Sequence, residues 1–283
     1  MVNRTRFARY WLSAVLGVAA VALAVSAVVH YRWEFQNLAT PTRTFTITGG
    51  SALAQRLQIA RLLIRQAQSQ GIALTIEESA GSIDSARRVQ AGTTDFALLQ
   101  GGLDYSEFPR LRQVATLHAE ALHLLVKRAI VPEGDPERFR LSMLGGKRVN
   151  VGGIGAGTHT LAVEILEYAG LRPTVDYELA EWSIGELLQG PADPPDAVFI
   201  VSMTHSPSVR ELVQKHEYLV IPLPFAEAFS MDDLEFQSEQ WVESASPKVR
   251  RRYLLPTVIP PFTYDIEPPV PARALPTVGM RLL

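Results

Sequence analysis

The sequence predicts an α/β protein built from two lobes. Short apolar strands alternate with helical segments along most of the 283 residues, beginning at 44–48 and beginning again at about residue 147. Strands that alternate with helices at this spacing form parallel βαβ units, and such units bind ligands at the carboxyl ends of their strands. The chain is long enough for two ordinary domains, each with its own core.

The glycine-rich turn at the start of the second lobe is the strongest candidate site. The strand at 149–151 leads into Gly152-Gly153-Ile154-Gly155-Ala156-Gly157-Thr158 and then an amphipathic helix that Gly170 ends. Thr158 occupies the predicted N-cap, so the turn would offer backbone N–H groups and a hydroxyl at a positive helix end. Such a turn binds an anion, a carboxylate as readily as a phosphate.

Two nucleotide-binding motifs fail at this turn. The phosphate loop requires a lysine between its last glycine and the Ser or Thr, but here Thr158 directly follows Gly157. The dinucleotide motif requires a glycine at its sixth position, and Thr158 occupies that position. A tight strand-to-helix turn without any ligand remains the alternative at this point.

The sequence predicts two similar turns in the first lobe. The elements of this lobe are, in order, a strand at 44–48, a helix at about 52–70, a strand at 72–77, a helix at 83–90 and a strand at 95–99 that ends at Gln100. The first strand ends at Gly49-Gly50-Ser51, and the second ends at Ser79-Ala80-Gly81-Ser82. One face of the first helix carries Leu53, Leu57, Ala60 and Ile64. Glycine and serine at strand ends favour backbone turns that open helices. The predicted turns therefore face the same cleft as the one in the second lobe.

Further strands complete the prediction. They are expected at 111–116, 121–127, 175–182, 197–201, 218–221 and 277–283, with an extended proline-rich segment at 259–276. The first lobe is assigned to 44–127 and 271–283, and the second lobe to 128–270. The first lobe is expected to be short at its C-terminal end.

The N-terminus predicts a membrane anchor. Three arginines in the first ten residues precede an uncharged run at 10–29. About 20 apolar residues suffice to cross a bilayer, whereas signal-peptide cores have about 7–15. The arginines place this end in the cytoplasm, so the chain after His30 would lie outside. Residues 1–33 are thus a basic tip and transmembrane anchor in contact with lipid, and 34–43 a tether; cleavage near 25–27 is the alternative.

Composition and motifs argue against other functions. A net charge of −2 argues against a nucleic-acid binder, and the lack of cysteine excludes thiolate zinc sites, cysteine nucleophiles and disulfides. Histidines at 118, 123 and 159 lack metal-ligand spacing. Residues 49–53 do not form the Gly-x-Ser-x-Gly elbow of a hydrolase. The sequence therefore predicts no enzyme, no cofactor and no metal.

Several segments together resemble one known family. They are Thr48-Gly49-Gly50, Glu78 to Ile83, Arg88 to Ala97, Gly145 to Val149 leading into Gly155 to Thr158, Asp196 to Phe199, and Leu255 to Tyr264. Their order and spacing are similar to those of TAXI-type solute receptors of tripartite ATP-independent periplasmic (TRAP) transporters. The resemblance covers about 45–278, most of the chain outside the anchor.

The resemblance implies a type II periplasmic binding-protein fold. Two lobes joined by two crossing strands would close on a small organic acid or amino acid and then dock on a TRAP membrane permease. The protein would lie in the periplasm, anchored in the bacterial inner membrane or released from it by cleavage. A membrane-tethered sensor or scaffold with a degenerate receptor fold is the alternative function. The candidate ligand-binding residues are Gly49, Gly50, Ser51, Ser79, Gly81, Ser82, Gln100, Gly155, Gly157, Thr158 and His205.

Overall fold

The computed structural model describes residues 16–32, 43–51, 55–223 and 254–283. Residues 16–32 form helix α1, and its apolar side chains are exposed. Within these ranges, the structure contains no helix that is both long enough and apolar enough to cross a membrane. The start of the predicted span at 10–29 and most of the predicted tether at 34–43 lie outside the described residues.

A small parallel sheet forms the first lobe. Its elements are β1 (Arg43–Thr48), α2 (Gln55–Gln68), β2 (Ile72–Glu77), α3 (Ser82–Ala91) and β3 (Phe96–Ala97). The strand order is β2-β1-β3, and both pairings are parallel. Helix α2 buries Leu57 and Ala60, and Ala60 packs into a core with Ile47 and Leu98. The predicted βαβ arrangement of this lobe is confirmed.

A larger mixed sheet carries the second lobe, and it includes two strands, at 119–127 and 275–281, that the sequence assigns to the first lobe. Its elements, with the two short strands of a separate hairpin, are β4 (Ala119–Lys127), β5 (Arg148–Asn150), α4 (Gly157–Tyr168), β6 (Glu178–Ala180), α5 (Ile184–Leu188), β7 (Ala197–Ser202), α6 (Pro207–Lys215), β8 (Tyr218–Ile221), β9 (Leu255–Ile259), β10 (Asp265–Ile266), β11 (Pro269–Val270) and β12 (Leu275–Arg281). Single 3₁₀ turns lie at Arg128–Ile130, Pro132–Gly134, Pro136–Arg138 and Leu141–Leu144. The order is β6-β5-β7-β4-β12-β9, with β8 also paired to β4.

Parallel pairing in this sheet is confined to one side. Strand β5 is parallel to β6 and β7, whereas β4 is antiparallel to β7, β8 and β12. Apolar side chains cover both faces of the sheet in two separate clusters. Leu161, Ile165 and Leu166 are completely buried against one face, which confirms the predicted apolar side of α4.

The two sheets are joined by β4 and by the end of the chain. Strand β12 runs antiparallel to β4, with Gly279 opposite Ala121. Beyond it, Leu283 and Leu99 exchange two backbone hydrogen bonds of 2.8 Å, and Leu282 packs into the core of the first lobe. The chain therefore leaves the first lobe through β4 and returns to it through β12.

Three predicted strands are wrong or too long. Residues 111–116 form no strand, and Val114 is 80% exposed. The Arg112 guanidinium donates to the carbonyls of Pro109 and Leu111 (2.7 and 2.6 Å). In a strand, such carbonyls would instead accept hydrogen bonds from the backbone of a neighbouring strand. The strands predicted at 95–99 and 175–182 shorten to Phe96–Ala97 and Glu178–Ala180.

Candidate functional site

The two predicted turns meet across the boundary between the lobes. Gly81 precedes α3 in the first lobe, and Gly155 and Ala156 precede α4 in the second. The backbone N–H of Ile83 donates to the Gly155 carbonyl at 3.1 Å. A Cβ on Gly81 would lie 2.5 Å from the Ala156 Cα, so the approach requires glycine at this position.

Gln100 continues this contact below the turns. Its side chain is completely buried, and a Cβ on Gly157 would lie 2.8 Å from the Gln100 Cδ. The Gln100 backbone N–H donates to the Ser82 hydroxyl at 2.9 Å. The Tyr105 hydroxyl donates to the Gln100 carbonyl at 2.7 Å. Five predicted site residues (Gly81, Ser82, Gln100, Gly155 and Gly157) thus lie together.

A buried ion pair that the sequence did not predict occupies the centre of this group. Arg56 binds Glu120 through two hydrogen bonds, Nε to Oε1 (3.0 Å) and Nη2 to Oε2 (2.9 Å). Their side chains are only 14% and 2% exposed. Arg56 also donates from Nη1 to the Ser82 hydroxyl and from Nη2 to Gln100 Oε1, each at 3.2 Å. We call Arg56, Ser82, Gln100 and Glu120 the Arg56 cluster.

The Arg56 cluster leaves one strong donor without an acceptor. Because Gln100 Oε1 accepts from Arg56, the orientation of the amide is fixed, and its buried Nε2 has no hydrogen-bond partner in the described residues. The buried hydroxyl of Thr48, at the end of the neighbouring strand β1, is also without a partner there. A buried donor without an acceptor costs about 1–3 kcal/mol, which makes this a place where an acceptor atom would bind favourably.

The charges around the cluster cancel. The Arg56 guanidinium is paired with the Glu120 carboxylate. Burial raises the pKa of the Tyr105 hydroxyl, and burial lowers the pKa of His118 although the nearby Glu120 charge opposes that shift, so both are neutral near pH 7. Net positive potential therefore comes from backbone N–H groups and the Gln100 amide.

Thr158 does not cap α4, and that prediction is wrong. The helix begins at Gly157 with Ala156 in the capping position and no side-chain cap. Gly155, at φ +84°, turns the chain so that the helix begins two residues earlier than expected, which places Thr158 inside the first helical turn. Its hydroxyl instead accepts from the Val201 N–H at 3.3 Å and ties α4 to β7.

The remaining predicted residues serve the first-lobe backbone or lie at the surface. The Ser79 N–H donates to the Gly50 carbonyl at 3.1 Å, and the Ser79 hydroxyl contacts that of Ser85 at 2.7 Å. A Cβ on Gly49 would lie 3.1 Å from the Arg56 carbonyl oxygen, so Gly49 allows α2 to approach. Ser51 is half-buried, and His205 is exposed on the turn between β7 and α6.

One more contact links the lobes near His205. Gln55 Oε1, at the start of α2, accepts from the Met203 N–H just after β7 at 3.3 Å. On the second-lobe side, His159 Nε2 and Glu181 Oε1 lie 2.8 Å apart. Among the residues that the structure describes, no three His, Asp or Glu side chains come together in a group that could hold a metal ion.

Comparison with known proteins identifies one family. The family model described as the NMT1-like family matches residues 46–278. No curated protein matches the chain.

Several solved structures resemble part of the chain at low sequence identity. A protein from Bordetella bronchiseptica RB50 is 17% identical, with a TM-score of 0.46 over 64% of this chain and 56% of its own. The alkanesulfonate-binding protein SsuA from Xanthomonas axonopodis pv. citri, bound to MOPS, is 16% identical (TM-score 0.41; 65% and 61%). A sulfate-bound variant of the OxyR2 regulatory domain from Vibrio vulnificus is 14% identical (TM-score 0.46; 65% and 81%). The chain spans less than two thirds of the first two proteins.

Proposed function

The chain belongs to the NMT1-like family, which has the periplasmic binding protein type II fold, and on that premise we propose that it is an extracytoplasmic solute-binding protein. It captures a small anionic solute, a carboxylate or an amino acid, between its two lobes. The function requires binding and closure and no bond chemistry.

The observation that carries this proposal is the meeting of the two turns. Helices α3 and α4 begin on opposite lobes, and their N-termini approach through Gly81 and Ala156. Helix N-termini attract anions because their first N–H groups lack intrahelical acceptors. The unpaired Nε2 of Gln100 adds a side-chain donor at the same position. A solute with acceptor oxygens fits this set of donors.

Capture requires the lobes to separate first, since the turns are in direct contact. The two connecting strands, β4 and β12, are the elements about which such a motion occurs. A solute shifts the equilibrium between open and closed forms only by the difference in its affinity for the two forms. In the proposed cycle the open form admits the solute and the closed form encloses it.

The membrane and permease steps of the proposal rest on the resemblance to TRAP receptors. In this proposal residues 10–29 anchor the protein in the inner membrane, the lobes lie in the periplasm, and the closed form docks on a TRAP permease. The exposed apolar side chains of α1, such as Leu16 (63%) and Leu23 (72%), support a lipid contact for this segment.

A second function, a membrane-tethered sensor or scaffold, is favoured by one observation. Arg56 already bonds to Ser82, Gln100 and Glu120, so the first-lobe half of the cleft is partly filled by the chain itself. A protein of this kind would keep its lobes together without any solute. The two functions differ in whether a small acid changes the protein.

Thermal unfolding of the full chain in mild detergent separates these functions. We expect the midpoint to rise by several degrees with at least one class in a panel of amino acids, monocarboxylates and dicarboxylates, because a ligand that binds only the folded form stabilises it. A folded sample whose midpoint no acid changes would contradict the receptor function and favour the scaffold.

A further inference from the structure

The charge balance of the cleft bears on how many negative charges a bound solute can have. Arg56 is the one cation of the Arg56 cluster, and Glu120 takes two of its N–H groups. Two more N–H groups of Arg56 bind Ser82 and Gln100. Four of the five N–H groups of the guanidinium are thus in use: one on Nε, one on Nη1 and two on Nη2. The guanidinium is therefore neutralised and almost fully bonded before any solute arrives.

Apart from the fifth N–H of the Arg56 guanidinium, the donors that remain are neutral. Helix α4 runs for 12 residues from Gly157, and its first N–H groups have no acceptors within the helix. The Gln100 amide is completely buried and held against Gly157, and its Nε2 has no hydrogen-bond partner within the part of the chain that the structure describes. These are two independent sources of hydrogen bonds to one acceptor group, and neither of them carries a full charge.

The other charged side chains at the turns also have partners. At α3, Asp84 accepts from Arg88 Nε and from the Ala80 N–H, each at 3.1 Å. Beside α4, the Glu181 carboxylate has His159 as its partner, with Oε1 2.8 Å from the histidine Nε2. Among the described residues at the turns, a second carboxylate on a solute would find no cation without an acidic partner, and it would lose its hydration without compensation.

We infer that Glu120 makes the cleft selective for solutes with one carboxylate over solutes with two. This inference rests on the proposed function and names its substrate class. Glu120 acts by cancelling the Arg56 charge and by holding the guanidinium against Ser82 and Gln100. The helix dipole and the Gln100 amide stabilise one carboxylate. A second carboxylate would require the positive charge of Arg56, which Glu120 neutralises.

Isothermal titration calorimetry of the full chain with matched acids tests this selectivity. Butyrate and succinate have the same carbon number and differ by one carboxylate, and so do propionate and malonate; alanine and aspartate form a third pair. We expect the wild type to bind the single-carboxylate member of a pair more tightly. Glu120→Gln should shift the affinity ratio toward the dicarboxylate by about tenfold or more, since it leaves a buried positive charge. Glu178→Gln, which removes a carboxylate from the exposed Arg148 pair, should leave the ratio unchanged.

A double variant guards against misfolding of Glu120→Gln. Arg56→Gln combined with Glu120→Gln keeps the cluster neutral, and it should retain the preference for one carboxylate. Tighter binding of dicarboxylates by the wild type, or by the double variant, would overturn the inference and leave the receptor function intact. If folded Glu120→Gln has the same affinity ratio as the wild type, the inference is also overturned and the receptor function is unaffected. If no acid binds the wild type, the proposed function and this inference both fail.

Discussion

Gly81 of the first lobe lies so close to Ala156 of the second that a Cβ on Gly81 would come within 2.5 Å of the Ala156 Cα. No side chain separates the two backbones at this point, and the Ile83 N–H donates directly to the Gly155 carbonyl. The contact between the lobes is therefore made by main chain, which can shift little to accept an added atom.

Replacing Gly81 by alanine should hold the lobes apart. The added Cβ meets backbone atoms, so the strain is relieved most easily by separation of the lobes. The chain contains no cysteine, so spin labels at Leu62→Cys and Val175→Cys, both exposed, would report the distance between the lobes. We expect a longer distance in Gly81→Ala than in the parent.

Gly170→Ala is the matched control for that experiment. Gly170 also has a positive φ, +80°, but a Cβ there would meet no atom within 4 Å. It should lose about 1–2 kcal/mol of stability from backbone strain and keep the parent distance. Equal distances in all three proteins would show that the turn contact does not hold the lobes together.

Arg56→Met should strongly destabilise the protein. It leaves the Glu120 carboxylate, 2% exposed, without its partner. Breaking a buried pair in this way costs about 3–5 kcal/mol, and urea unfolding monitored by circular dichroism measures the loss. Arg148→Met, which breaks pairs with the exposed carboxylates of Glu178 and Asp193, should cost much less. Similar losses in the two variants would contradict the structural importance given to the Arg56 cluster.

Stability should fall in mild acid because of His123. This residue is completely buried in β4, and Tyr264 donates to its Nε2. Burial lowers the pKa of His123 from 6.5 to about 4. Between these values the unfolded chain binds a proton that the folded protein does not, so its stability is full above pH 6.5 and declines as the pH falls toward 4. The loss is about 3 kcal/mol.

His123→Gln isolates this contribution, since a glutamine oxygen also accepts from Tyr264 and does not titrate. Unfolding free energies measured from pH 7 to pH 4 should fall less in the variant than in the wild type. Parallel pH profiles would mean that His123 is accessible to protons in the folded state.

Thr158→Val should cost about 1 kcal/mol, because it leaves the Val201 N–H without the hydroxyl that accepts from it. Thr158→Ser keeps that oxygen and should lose less. Equal unfolding midpoints for the valine and serine variants, measured side by side, would show that this hydrogen bond contributes little.

Local pattern was enough to predict most of the fold. The strand at 218–221 matches β8 to the residue, because four buried residues at 218–221 lie between the charged Glu217 and Pro222, which cannot donate a backbone hydrogen bond. Gly170 ends α4 as predicted because only the left-handed conformation reverses the chain there. The segment 111–116 was mistaken for a strand, because whether a strand forms depends on a partner that the local sequence does not contain.

The candidate site was predictable only in part. The turns at Gly81 and Gly155 were found from glycines at strand ends, and the fold brings them together. The Arg56 cluster was missed because Arg56 and Glu120 are 64 residues apart in sequence. One signal was present: Glu120 immediately precedes the apolar run of β4, where a carboxylate is costly unless a cation meets it.

The distance between labels at Leu62→Cys and Val175→Cys, measured in the full chain with and without a stabilising acid, tests the receptor function most directly. We expect a broad distribution without solute that includes a longer, open-lobe distance, and a single short distance when the acid is added. One short distance that is the same with and without every acid would contradict it and show that the lobes are held together permanently.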